Sequence, residues 1–460
     1  MKKYITVTIL NVLLAAGILF GQKETPPPGG TPKDFKLPVK ETFALDNGMA
    51  VTLVPYGKLP KVTIQFRISS GNINENEKQV WLADITADFL KEGTTSRTAR
   101  QLAEEAARIG GELSVSVSMD QTTIGGEALG EFADQLVGLL SDLLRNPAFP
   151  ESELDRYKKN YLRQLSLQQN QPQQMALEKF RKILYPEHPY GRIFPTAEMI
   201  QSYTMSDITN FYRQNYGARR THLYVVGVFD RDAVIAAVHK NLENWQAGAE
   251  PVTNLPETES KRAIFLVNRP EAVQSTIFIG QPVVDPSDPD YIPMLVTHYL
   301  IGGFFSSRII RNIREDKGYA YSPYSSLSAR YHDAYWVQQA DVSTEVTGPA
   351  IREIFYEIDR LRTEAPPEDE LKGVQNYMTG VFVLQNSSRT GIINQLAFAD
   401  LQGLGDEYLT GYVRNVFAVT PDEVKRMVNT YLPDDKFTIV IAGDVAKIKQ
   451  EVNPFGNIMP

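Results

Sequence analysis

One order of strands and helices is written twice along this chain, and neither a short-period solenoid nor a single-core fold accommodates that. From Glu41 the residues read as strand, Asn47-Gly48 turn and strand (FAL, then MAVTLVPY), with a third strand at 62–69. A helix at 80–94 follows, then the helical stretch TARQLAEEAARIGG, stopped by Gly110-Gly111, and a hairpin of ELSVSVSMD and QTTIGGEAL. Helices at 132–144 and 151–167, a turn-rich loop at His188-Pro189-Tyr190-Gly191, a helix at 206–216 with a Ser-Asp start and a strand at 222–228 complete the first half. After residues 247–261, rich in Glu, Pro and Thr, strands at 263–268 and 275–281, helices at 291–300 and 307–316, further strands and two helices repeat the order. A helix at 421–431 and a strand at 437–442 close the second half. Local echoes mark the duplication: Pro150-Glu151-Ser152-Glu153-Leu154 answers Pro367-Glu368-Asp369-Glu370-Leu371, and a helix ending at a tyrosine (Tyr216, Tyr431) precedes the last strand of each half.

The expected fold is therefore α+β: two homologous domains of about 200 residues, each a mainly antiparallel sheet packed with helices. The boundaries fall at 39–246 and 262–460, with 247–261 as the interdomain linker. Ahead of them, Lys2 and Lys3 precede an apolar run from Ile5 to Phe20, with Ala15, Ala16, Gly17 and Gly21 near its end. That pattern reads as an export signal at 1–22, followed by a Pro/Gly-rich tether at 23–38. An uncleaved membrane anchor is the alternative; no later segment approaches about 18 consecutive apolar residues, so no membrane span is expected once the signal is removed. Net charge is −8, which leaves no electrostatic footprint for nucleic acid. With no cysteine, stability after export cannot rest on disulfides, nor can a lipid be carried on a cysteine behind the signal.

Within the helix at 80–94, Leu82, Ile85 and Phe89 recur at helical spacing and Gly93 ends the run. Asp84, Ala87 and Asp88 fall together on the opposite side. Taken alone, two aspartates four residues apart describe a solvated helix face. The five histidines, His188, His222, His239, His298 and His332, contain no pair three to five residues apart, so they present no local metal motif. His188 reads as a loop residue beside Pro189, and His298 as a buried or partly buried helix residue.

Order and spacing along nearly the whole mature length resemble the pitrilysin/insulinase family, the inverzincin metallopeptidases. In the first half the resemblance lies in LDNGMAVTLVP, the helix ending LKEGT and NYGARRTHLYVVGVFD; in the second, in RPEAVQSTIFIG, DPDY and LIGGFFSSRIIRNIREDKGYAYSPYSSL. Family membership implies an H-x-x-E-H helix, in which two histidines bind zinc and the glutamate activates water, with a later glutamate as third ligand. Registered by Gly93-Thr94, the histidine positions fall on Asp84 and Asp88 and the base on Ala87; RQLSLQQNQP puts the third ligand at Gln164. Two aspartates and an amide suit harder, weakly held cations, and alanine can take no proton. No zinc is expected in this chain.

The same resemblance implies that Arg314 and Tyr321, seven residues apart, form a pair that contacts the substrate backbone. Both side chains donate hydrogen bonds, as a carbonyl gaining negative charge requires. The expectation is a non-catalytic subunit forming half of a clamshell. Its partner would be a zinc-bearing paralogous peptidase subunit, and the two would close around an unfolded peptide, in the periplasm. A stand-alone peptide-binding or scaffold protein is the alternative, and an atypical metal at Asp84, Asp88 and Gln164 a third.

Overall fold

The structure is a computed structural model that describes residues 33–258 and 260–459. The expected signal, and the tether up to residue 32, lie outside the described residues. Two six-stranded sheets organise the chain. The first contains β1 (Glu41–Ala44), β2 (Ala50–Pro55), β3 (Lys61–Ile68), β4 (Leu113–Val117), β5 (Thr122–Leu129) and β6 (Thr221–Gly227), in the order β1-β2-β6-β3-β5-β4. The second contains β7 (Ala263–Asn268), β8 (Gln274–Val283), β9 (Tyr324–Arg330), β10 (Asp333–Ser343), β11 (Thr438–Gly443) and β12 (Asn457–Met459), in the order β12-β7-β11-β8-β10-β9. Strand for strand, β2-β6-β3-β5-β4 superimposes in topology on β7-β11-β8-β10-β9, which is the duplication read from the sequence. Pairing is antiparallel except where the long connections force otherwise: β2 with β6, β7 with β11, and β12 with β7 run parallel. Only the edge differs, since β1 is antiparallel to β2 whereas β12 is parallel to β7.

Each sheet is covered on both faces, and the second cover comes from the other half of the chain. On β8 the odd positions Ile277 and Ile279 enter the core of their own half, while Phe278 points the opposite way. The helix Pro172–Leu184, from the first half, lays Ala176, Phe180 and Leu184 against Phe278, Tyr335, Val337, Val440 and Ala442 of the second sheet. Reciprocally, the helix Arg389–Leu401 lays Ile392, Ile393, Leu396 and Ala397 against Val54, Tyr224 and Val226 of the first. Polar contacts pin both exchanges: Arg389 Nε donates to Thr63 Oγ1 at 3.0 Å, and Gln173 Nε2 to Asp341 Oδ2 at 2.9 Å. Both sheets accordingly belong to one compact unit beginning at Asp34.

The sequence reading passed over the helices Pro172–Leu184 and Arg231–Leu242. Pro172 stops the preceding helix, Leu154–Gln169, and also opens the next, because proline at the first helical position loses no hydrogen bond. The helix expected from Ser206 begins at Met205; its cap is Thr204, whose hydroxyl accepts from Asp207 N while Asp207 reaches back to Thr204 N. Gly93 (φ +111) holds a left-handed turn after its helix, as expected of a stop, and Gly318 (φ +66) does the same after the segment ending at Asp316. The helices expected at 291–300 and 307–316 each pass into a π-helical turn, Tyr299–Gly303 and Arg311–Asp316.

Candidate functional site

The helix Leu82–Leu90 begins without an ordinary cap: Trp81 occupies the N-cap with φ 69 and has no side-chain acceptor to offer. Glu75, buried in the loop ahead, does the work instead, accepting from Trp81 N at 3.2 Å and Ala83 N at 2.8 Å. Asn72 Nδ2 then donates to both Glu75 Oε1 (3.2 Å) and Asp84 Oδ2 (2.7 Å), tying the loop to the helix. Burial, reinforced by the Asp84 charge, pushes the Glu75 carboxyl well above the usual carboxylate range. Asp84 is itself raised to about 6, chiefly by burial; the Asn72 bond works against the shift and the Asp88 charge adds to it.

Asp88 is taken up by Tyr161, whose hydroxyl donates to Oδ2 at 2.7 Å, and by Lys91 Nζ at 2.7 Å from Oδ1. Ala87 between them is buried. The solvated face that two aspartates suggest in isolation is therefore not what forms: Asp84 and Asp88 are half-buried and every other residue of the helix is buried. Gln164 is exposed on the helix Leu154–Gln169 and bonds neither aspartate; Tyr161, one turn earlier, makes that contact. Among the described residues, no three His, Cys, Asp or Glu side chains gather as metal ligands would. The donor set does not fit zinc: two carboxylates already hydrogen-bonded within the protein, an alanine, and an amide turned to solvent. Sequence reasoning missed Asn72, Glu75 and Tyr161. The tryptophan ahead of the helix was the available signal, since the first N–H groups needed an acceptor from elsewhere.

The histidines sit as read. His298 is buried against Ser325 Oγ at 3.0 Å and burial drops its pKa to about 3; His188 caps a turn, its Nδ1 accepting from Tyr190 N at 3.2 Å.

Arg314 and Tyr321 are brought together. Arg314 lies in the π turn Arg311–Asp316, and Gly318 reverses the chain so that Tyr321 returns beside it. The guanidinium carbon is 5.2 Å from the centroid of the Tyr321 ring, within cation–π range. Tyr321 is 83% exposed, and its hydroxyl has no hydrogen-bond partner among the described residues. It sits in the bend before β9. Arg314 also pairs with Glu315, Nε to Oε1 at 3.0 Å. Gly302 and Gly303 form part of the π turn Tyr299–Gly303. No hydrogen bond or ion pair among the described residues links the Arg314 set to the Asp84 set. A hollow of about 750 Å³ opens elsewhere, between the helices Ala99–Arg108, Ala133–Arg145 and Arg231–Leu242, and contains none of these residues.

Comparison with known proteins bears directly on both sites. The family model described as "Insulinase (Peptidase family M16)" matches residues 53–196, which hold the Leu82–Leu90 helix. The model described as "Peptidase M16 inactive domain" matches residues 202–378, which hold Arg314 and Tyr321. The chain belongs to the insulinase family of peptidases. An uncharacterized zinc protease of Rickettsia felis is 25% identical over 354 residues, 75% of this chain and 85% of that protein. Two solved structures share the fold. A peptidase M16 inactive domain from Pseudomonas fluorescens has TM-score 0.81 at 22% identity, covering 88% of this chain and 98% of its own. A protease from Helicobacter pylori has TM-score 0.82 at 20% identity, covering 89% of this chain and 100% of its own.

Proposed function

We propose that this insulinase-family chain is a non-catalytic subunit that lends Arg314 and Tyr321 to a zinc-bearing paralogue, the two closing as a clamshell around an unfolded peptide. The observation that carries the reading is a contrast within one chain. At the zinc positions, Asp84 and Asp88 are engaged by Asn72, Tyr161 and Lys91, and Ala87 supplies no base. Arg314 and Tyr321, by contrast, stand side by side with the phenol uncommitted. The guanidinium N–H groups and the phenol O–H suit a peptide carbonyl that gains charge during hydrolysis, and they bind and orient without transferring a proton themselves. Zinc and the hydrolytic chemistry belong to the partner; this chain holds no zinc of its own. Export through the basic-then-apolar N-terminus, with a periplasmic destination, is part of the same proposal.

The test uses the purified chain and an H-x-x-E-H paralogue from the same genome. Alone, the chain binds no stoichiometric zinc and cleaves no peptide; mixed, it raises the paralogue's turnover. Arg314→Ala lowers the turnover of the mixture by about 100-fold, the scale of losing a donor to a developing oxyanion. Equal turnover with wild type and Arg314→Ala refutes the assigned role. A mixture no faster than the paralogue alone favours a stand-alone peptide-binding or scaffold protein.

A further inference from the structure

We infer that Phe305 is a positioning residue for Arg314, its ring and that of Tyr321 both holding the guanidinium by their faces. The Arg314 guanidinium carbon is 4.5 Å from the Phe305 centroid and 5.2 Å from the Tyr321 centroid, both inside the distance at which a cation is attracted to a ring face. An arginine side chain has much rotamer freedom, and one exposed carboxylate is a weak restraint on it. Glu315, the only ion-pair partner of Arg314 among the described residues, is such a carboxylate. Two rings, each with the guanidinium carbon over its face, restrict it further.

The backbone fixes where Phe305 stands. The π turn Tyr299–Gly303 is wedged in place: a Cβ on Gly302 would lie 2.6 Å from Gln338 Oε1 and 2.7 Å from Ser325 Oγ, and one on Gly303 2.7 Å from His298 Nε2. The chain leaves that turn extended at Phe304 (φ −149, ψ 166), so successive side chains diverge. Phe304 turns inward and stacks on Tyr377 at 5.0 Å, packed against the second core. Phe305 turns outward, 61% exposed, with the Arg314 guanidinium over its ring. A phenylalanine held in solvent on a rigid stem, with a cation on its face, is placed to orient that cation.

The inference rests on the proposed substrate role of Arg314, and the experiment separates the two. First, the Nε–H resonance of Arg314, assigned by its disappearance in Arg314→Ala, is followed in the chain alone. It loses its ring-current shift in Phe305→Leu and keeps it in Phe305→Tyr, with thermal unfolding unchanged in both. Second, turnover of the mixture with the zinc-bearing paralogue falls in Phe305→Leu by between about 2-fold and about 30-fold, the range a cation–π contact spans, and is restored in Phe305→Tyr. Adding Phe305→Leu to Arg314→Ala lowers turnover no further. An unshifted Arg314 resonance in Phe305→Leu overturns the inference whatever the mixture does. A further loss of turnover in the double variant also overturns it, because Phe305 would then act on the peptide directly. A shifted resonance together with full activity of Arg314→Ala leaves Phe305 positioning Arg314 and removes the substrate role instead.

Discussion

Replacing Phe180 by alanine tests whether the two halves stand by exchanging helices. Phe180 is fully buried (0% exposed), and its ring centroid lies 6.1 Å from that of Phe278 and 5.6 Å from that of Tyr335, both in the second sheet. Truncating a buried phenylalanine costs about 3–5 kcal/mol, the transfer of the ring plus the cavity it leaves. Strands β8, β10 and β11 line that cavity, with Gly280 so close that a Cβ there would be 2.8 Å from Phe180 Cζ. The expected loss is therefore about 4 kcal/mol, which corresponds to amide exchange about 1,000-fold faster wherever the helix contributes to protection. Native-state hydrogen exchange read by peptide is the assay. Loss of protection is expected in β8 and β11, which are 94 or more positions from Phe180 in sequence but form its packing surface. Loss confined to Pro172–Leu184 and the first sheet, with β8 and β11 unchanged, would refute the exchange.

Other outcomes follow from the site. Asp84→Asn stabilises the chain: with the folded carboxyl raised to about 6 from 3.8, the charged form is disfavoured on folding, so the penalty is absent below pH 3.8 and complete above pH 6. The shift bounds the gain at about 3 kcal/mol, and half-burial reduces it to about 1–2 kcal/mol, measured by urea unfolding at pH 7.5; an equal gain at pH 3.5 would refute the cause. Ala87→Glu alone restores no peptide cleavage, because the ligands remain absent; measurable turnover by that variant would mean the helix register is misassigned. Thr98→Ala removes the reciprocal cap of Ala99–Arg108 and costs about 1 kcal/mol in the same unfolding assay, with an unchanged midpoint as the contrary result.

The duplication was legible because β6 and β11 are nearly continuous apolar runs framed by turns, and such runs need cover on both faces. What supplies that cover was not legible. Nothing in the local pattern of Pro172–Leu184 says that Phe180 packs on a strand a hundred residues away, since an amphipathic face specifies burial and not partner. At the site, helical periodicity put Asp84, Ala87 and Asp88 on one side of one helix, and the family resemblance implied the pairing of Arg314 with Tyr321. Asn72, Glu75 and Tyr161 escaped notice because each acts through tertiary contacts from a loop or another helix. The bend that delivers Tyr321 was not legible either, because it follows the π turn Arg311–Asp316, which leaves no periodic trace.

The most direct measurement is steady-state cleavage of an unfolded, fluorogenic peptide by the homogeneous chain with zinc supplied in the buffer. No turnover is expected from the chain by itself, and turnover sensitive to Arg314→Ala once the zinc-bearing paralogue is added. Zinc-dependent cleavage by the unaccompanied chain, abolished by Asp84→Ala or Asp88→Ala, would contradict the central claim.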